Sequence, residues 1–96
     1  MEFTLSDLRK SLDNLDKAIV VLLAERFRIT RKIGILKAKK GLPARDKARE
    51  KEKLESLSKL AKDYGISSSL IREIFKLIMT EVVKKHRQIK TSEFSK

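Results

Sequence analysis

LSDLRKSLDNLDKAIVVLLAERFRITRKIGILKAKK, residues 5–40, decides the fold. Leu5, Leu8, Leu12, Leu15, Ile19, Leu22, Ile29, Ile33 and Leu36 recur in steps of three and four, the seam of one very long helix. One step is missing, and the residue standing there is Arg26. Gly41 ends the pattern and Pro43 prevents its resumption. At the other end Thr4, with Asp7 three residues on, reads as a short-armed capping box, flanked by Phe3 and Leu8 as a hydrophobic staple. At 1.5 Å per residue the helix would run roughly 54 Å, whereas a compact chain of this length has a radius of gyration of about 12–13 Å. The helix outruns its own protomer, and a second copy of the chain is the economical cover for its far half.

The rest of the chain supplies two shorter helices. Asp46 is the candidate N-cap of the second, whose stripe is Leu54, Leu57, Leu60, Ala61 and Tyr64 and which stops at Gly65. Its opening, Lys47 and Arg49 to Lys53, is polar, as either a solvated end or a rim facing a cavity. Ser67 caps the third helix, with Ile66 and Ile71 as its staple. That helix is the most apolar, running through Leu70, Ile71, Ile74, Phe75, Leu77, Ile78, Met79, Val82 and Val83 to Ile89, with His86 on the same stripe. From Thr91 to Lys96 the pattern is lost and fraying is expected. No segment alternates with period two for long enough to form a strand. The expected fold class is all-α, three helices per chain in one domain over 1–96, with an ordered core over about residues 5–89.

Composition excludes several chemistries. With no Cys, neither a disulfide framework nor a thiolate metal site can be built, and one His cannot build a zinc site alone. The N-terminus lacks the basic flank and apolar core of a signal peptide, and no run approaches the ~18 apolar residues of a membrane span. A cytoplasmic protein without membrane contact is therefore expected. The net charge of +11 predicts attraction to polyanions or to small, multiply charged anions, unless it serves solubility alone.

A cation on a buried stripe is costly unless an anion meets it. Lys37 lies eleven residues beyond Arg26, close to three helical turns, and so projects from nearly the same side. Two cations on one otherwise apolar face read as a pocket for an anion; a buried ion pair or a snorkelling arginine is the structural alternative. Arg is suited to planar carboxylates and Lys to a single oxygen. Arg9 lies about 25 Å before Arg26 along the axis, and reaches the same pocket only across an antiparallel dimer. Asp46 explains itself as a cap, and Arg49 and Glu50 as an exposed pair. His86 on an apolar face reads as a satisfied core histidine or as a catalytic group. There is no nucleophilic triad order and no Gly-rich phosphate loop. Chemistry that needs only positioned charges is permitted.

Leu8-Arg9, Leu12-Asp13, Leu15-Asp16, Leu22 to Arg26, Ile33-Gly34, Lys37, Pro43, Asp46, Arg49-Glu50, Ile74-Phe75 and Ile78-Met79 together resemble the all-helical (AroQ-class) chorismate mutases, over about residues 5 to 89. The resemblance implies an intertwined homodimer whose sites draw on both chains. It also implies the cofactor-free rearrangement of chorismate to prephenate, on the shikimate route to Phe and Tyr. Arg26 matches the arginine that holds a substrate carboxylate, and Arg9 the one delivered by the partner chain. Lys37 matches the lysine on a carboxylate and the ether oxygen, and Glu50 the acceptor of the substrate hydroxyl. Asp46 and Arg49 match the site-lining pair. Two positions depart from the pattern. His86 stands where relatives often carry Gln or Glu beside the ether oxygen, and would make the rate pH-dependent near neutrality. Val82 stands where they often carry Ser, which removes a contact to a carboxylate. Gln88 is about 200° around the helix from His86 and does not replace it. The expected catalytic residues are Lys37, Glu50 and His86; Arg9, Arg26, Asp46, Arg49 and Val82 complete the substrate-binding set, with no metal. A monofunctional form is expected from the length. The competing readings are an isochorismate pyruvate-lyase on the same fold and a non-enzymatic basic dimer binding nucleic acid. The second is disfavoured by the few aromatic residues and the lack of a binding motif.

Overall fold

A computed structural model describes residues 2–94, as three helices: α1 (Leu5–Lys39), α2 (Lys47–Asp63) and α3 (Ser68–Phe94). No strand occurs among the described residues. α1 is one helix of 35 residues. The chain divides into two compact units, one up to Thr30 and one from Arg31 onward.

Each helix begins on a side-chain cap. The Thr4 hydroxyl accepts the Asp7 N–H at 3.0 Å and Asp7 Oδ2 accepts the Thr4 N–H at 3.3 Å, so a carboxylate one carbon shorter than Glu closes the box. The staple expected beside it does not bury its side chains: Phe3 is 73% exposed. Asp46 Oδ1 accepts the Arg49 N–H at 3.0 Å, and Ser67 Oγ the Leu70 N–H at 3.2 Å. The first two helices end alike. Gly41 and Gly65 take φ of +66° and +69°, and the chain doubles back on paired bonds: Leu42 N–H to the Lys37 carbonyl with Gly41 N–H to that of Ala38, and Ile66 N–H to Ala61 with Gly65 N–H to Lys62. α3 differs from expectation. It stays helical through Thr91 to Phe94, with Ser92 Oγ donating to the Gln88 carbonyl at 2.8 Å; residues 95 and 96 lie outside the described residues.

In the unit up to Thr30, Leu5, Leu8, Leu12, Leu15, Ile19 and Leu22 are all more than half exposed in the single chain. Leu23, Arg26, Phe27 and Thr30 are half-buried.

In the unit from Arg31 onward, α2 packs along α3. The core is Leu54 and Ala61 of α2 with Met79, Val83 and Ile89 of α3, joined by buried Ser58 and His86. The buried face of α2 is therefore rotated from the expected stripe: Leu60 and Tyr64 are exposed, and Ser58 takes the inward place. Ser58 tolerates burial because its hydroxyl donates to the Leu54 carbonyl at 2.7 Å, while its own carbonyl accepts from Ser68 Oγ at 3.1 Å. On α3, Leu70, Ile74 and Leu77 stay exposed. The last turns of α1 also cover an unexpected side. Gly34 is buried and Ile35, Lys37 and Ala38 are half-buried, whereas the seam residues Ile33 and Leu36 face out.

Gly65 tests the helix-end chemistry in isolation, because a Cβ there meets no atom within 4 Å and only the backbone angle resists it. Gly65→Ala is expected to cost about 1 kcal/mol and to lower the melting temperature by roughly 4–8 °C. Thermal denaturation followed by circular dichroism checks this, and an unchanged midpoint would contradict it.

Candidate active site

In the unit up to Thr30, Arg9 is exposed in the first turns of α1. Arg26 is half-buried, although Leu22 and Ile29 on either side of it in the seam are exposed. Thr30, one turn after Arg26, donates its hydroxyl to the Phe27 carbonyl at 3.1 Å.

In the other unit, the connection between α1 and α2 fastens the expected residues one by one. Lys37, half-buried near the end of α1, donates from Nζ to the Ala44 carbonyl at 3.3 Å. Among the described residues no acid pairs with it. Its own carbonyl accepts the Leu42 N–H at 2.9 Å, so main chain and side chain are held by the same loop. The next loop residue, Arg45, donates from Nε to Glu50 Oε2 at 3.1 Å. The residue after that, Asp46, caps Arg49 and accepts the Glu50 N–H on its carbonyl at 3.0 Å. Three consecutive residues, Ala44, Arg45 and Asp46, thus hold Lys37, Glu50 and Arg49. Asp46 has one carboxylate oxygen committed to the cap. Glu50 is half-buried and Arg49 exposed.

α3 adds His86, 4% exposed, and one turn before it Val82, half-buried. Gln88 points elsewhere: it is exposed and shares an open groove of about 390 Å³ with Arg45, Thr80, Val83, Lys84 and Arg87. Neither Lys37 nor His86 lines that groove, and only Arg45 links it to the residues above. No cluster of acids and His suited to a metal occurs among the described residues, and no described helix is long and apolar enough to cross a membrane.

Two contributors escaped the sequence reading. Arg45, which bonds Glu50, carries no periodic signal because it sits in a loop. Gly34 did leave a signal. A lone glycine inside a helix costs about 1 kcal/mol relative to Ala and asks for a packing reason.

Residues 8–87 match the family model described as chorismate mutase type II. The chain is 38% identical over 81 residues to a bifunctional chorismate mutase/prephenate dehydratase of Buchnera aphidicola, covering 84% of this chain and 21% of that protein. It is 35% identical over 77 residues to the T-protein of Enterobacter agglomerans, covering 80% and 21% respectively. Identity to a chorismate mutase of Methanocaldococcus jannaschii is 29% over 75 residues, with 78% of this chain and 76% of that protein aligned. The chain thus spans about a fifth of the longer relatives and three quarters of the shorter one.

Asp46 is expected to act first as a cap, so Asp46→Asn should leave stability nearly unchanged while Asp46→Ala loses about 1 kcal/mol. Urea unfolding of the two variants decides the point. Equal losses in both would contradict the cap.

Proposed function

The chain belongs to the chorismate mutase type II family, and from that premise we propose that it rearranges chorismate to prephenate in a pocket shared by two copies of the chain. The observation that carries the reading is Lys37. Its ammonium is half-buried, parked on a backbone carbonyl and paired with no acid among the described residues, which leaves its charge available to a ligand. An ammonium with a carboxylate partner would already be neutralised.

The substrate is a dianion, and the reaction is an intramolecular [3,3] shift. The ether C–O bond breaks as the new C–C bond forms, with no net gain or loss of atoms, electrons or protons. Arg26 from one chain and Arg9 from the other grip the two carboxylates and favour the conformer in which the reacting carbons meet. Lys37 faces the ether oxygen, where negative charge exists only while the bond is breaking. A donor so placed lowers the barrier rather than merely tightening binding. His86 supplies a second donor to that oxygen. Glu50, oriented by Arg45, accepts the substrate hydroxyl, and Asp46 and Arg49 line the site beside it. Val82 offers only an apolar wall. No nucleophile, metal or cofactor enters any of these steps. The net charge of +11 draws the dianion in, and the cytoplasm is the expected compartment. The bare seam of α1 is the surface on which the second copy lies, which brings Arg9 of one chain to the Arg26 and Lys37 of the other.

The purified chain is expected to consume chorismate and yield prephenate. Lys37→Ala should cut kcat by about 10²–10³ while the melting temperature holds. Release of pyruvate from isochorismate instead would move the reading to the lyase. Salt-sensitive DNA binding with chorismate untouched would overturn it. For the assembly, light scattering should give twice the protomer mass, and Leu15→Asp with Ile19→Asp should abolish both dimer and turnover. A wild-type monomer with full activity would contradict the shared pocket.

A further inference from the structure

We infer that Gly34 is a positioning residue: it is the gap in α1 that lets the His86 imidazole of α3 lie against the helix backbone. This rests on the reading of the site above and adds a residue to it. Gly34 is the one buried residue of α1, and His86 is 4% exposed. A Cβ built on Gly34 would stand 2.5 Å from His86 Cδ2, 3.0 Å from His86 Nε2 and 3.1 Å from Ile89 Cδ1. The first distance is one that real side chains do not reach. Ile89 packs against the same gap one turn further along α3. Any side chain at position 34 therefore pushes the imidazole about 1 Å away to regain ordinary contact distance.

Which edge of the ring is held matters for the chemistry. The Cδ2–Nε2 edge lies on Gly34, so Nε2 faces α1. Lys37 follows Gly34 by three residues, less than one turn, and projects from a neighbouring position of the same helix. The glycine thus brings an imidazole nitrogen of α3 toward the strip of α1 that carries the lysine. Two donors from different helices then converge on one oxygen. A bulkier residue would leave Lys37 in place and withdraw the second donor.

The chain holds a single histidine, so its imidazole proton resonances are unambiguous reporters. In the wild type, a nuclear Overhauser contact between the Gly34 Hα protons and His86 Hδ2 is expected. Gly34→Ala should weaken it and lower kcat by about tenfold to 10²-fold, the usual consequence of an ångström of misplacement. KM should change little. Gly34→Ala in a His86→Ala background should cost nothing further in kcat or melting temperature, because the space has been vacated. This double variant also keeps the test decisive if Gly34→Ala alone fails to fold. Absence of the contact in the wild type would overturn the inference. So would a Gly34→Ala penalty of the same size with and without the imidazole, or a Gly34→Ala variant with wild-type kcat. A wild-type chain that leaves chorismate untouched would instead sink the functional reading, while the contact and the melting temperatures would still report on the packing.

Discussion

The uncovered aliphatic row on α1 is the feature from which the proposed assembly and site follow. Leu5, Leu8, Leu12, Leu15, Ile19 and Leu22 stand in water in a single chain, each more than half exposed. Burying one such side chain completely stabilises by about 1.5–3 kcal/mol. A row of this length left bare forgoes an amount comparable with the whole net stability of a small domain, about 5–15 kcal/mol. In the proposed dimer a second copy would cover the row and supply this energy. In the same step it would bring Arg9 of one chain to the other, so the force proposed to assemble the protein would also complete its proposed site.

To meet the proposed anionic substrate Lys37 has to be kept apart from the protein's own acids, and the loop between α1 and α2 holds it. Lys37 is held by a carbonyl dipole, which fixes its direction without cancelling its charge. Glu50 is engaged by Arg45 from the neighbouring loop position, which orients the carboxylate. A pair near the surface like Arg45–Glu50 contributes little to stability, about 0–1 kcal/mol; its value lies in geometry. Gly34 works in the opposite way, by removing atoms rather than adding a bond.

The long helix, its caps and its ends were legible in the sequence because each is a local matter. Thr4, Asp46 and Ser67 bond to amides three residues away, and Gly41 and Gly65 take angles that other residues resist. What the periodicity misjudged was which side of a helix meets a neighbour. On α2 the buried face runs through Ser58 rather than Leu60, and near the end of α1 it runs through Gly34 rather than Ile33. Hydrophobicity reports what benefits from burial, whereas close approach of two helices is set by small residues, and a serine that satisfies its own hydroxyl is small enough to serve. Lys37 and Glu50 were singled out in the sequence; the residues that hold them, Ala44 and Arg45, were not, because a loop carries no period. The end of α3 was underestimated because its last turns are polar yet continue the helix without a break.

The shared pocket is tested most directly by mixing two crippled chains. Arg9→Ala and Lys37→Ala each damage every pocket of their own homodimers. After unfolding and refolding together in equal amounts, half of the dimers are mixed, and one pocket of each mixed dimer combines an intact Arg9 with an intact Lys37. Chorismate turnover is then expected to recover to about a quarter of the wild-type rate, the statistical yield for a twofold dimer. Turnover no greater than the average of the two separate variants would mean that each pocket is built from a single chain.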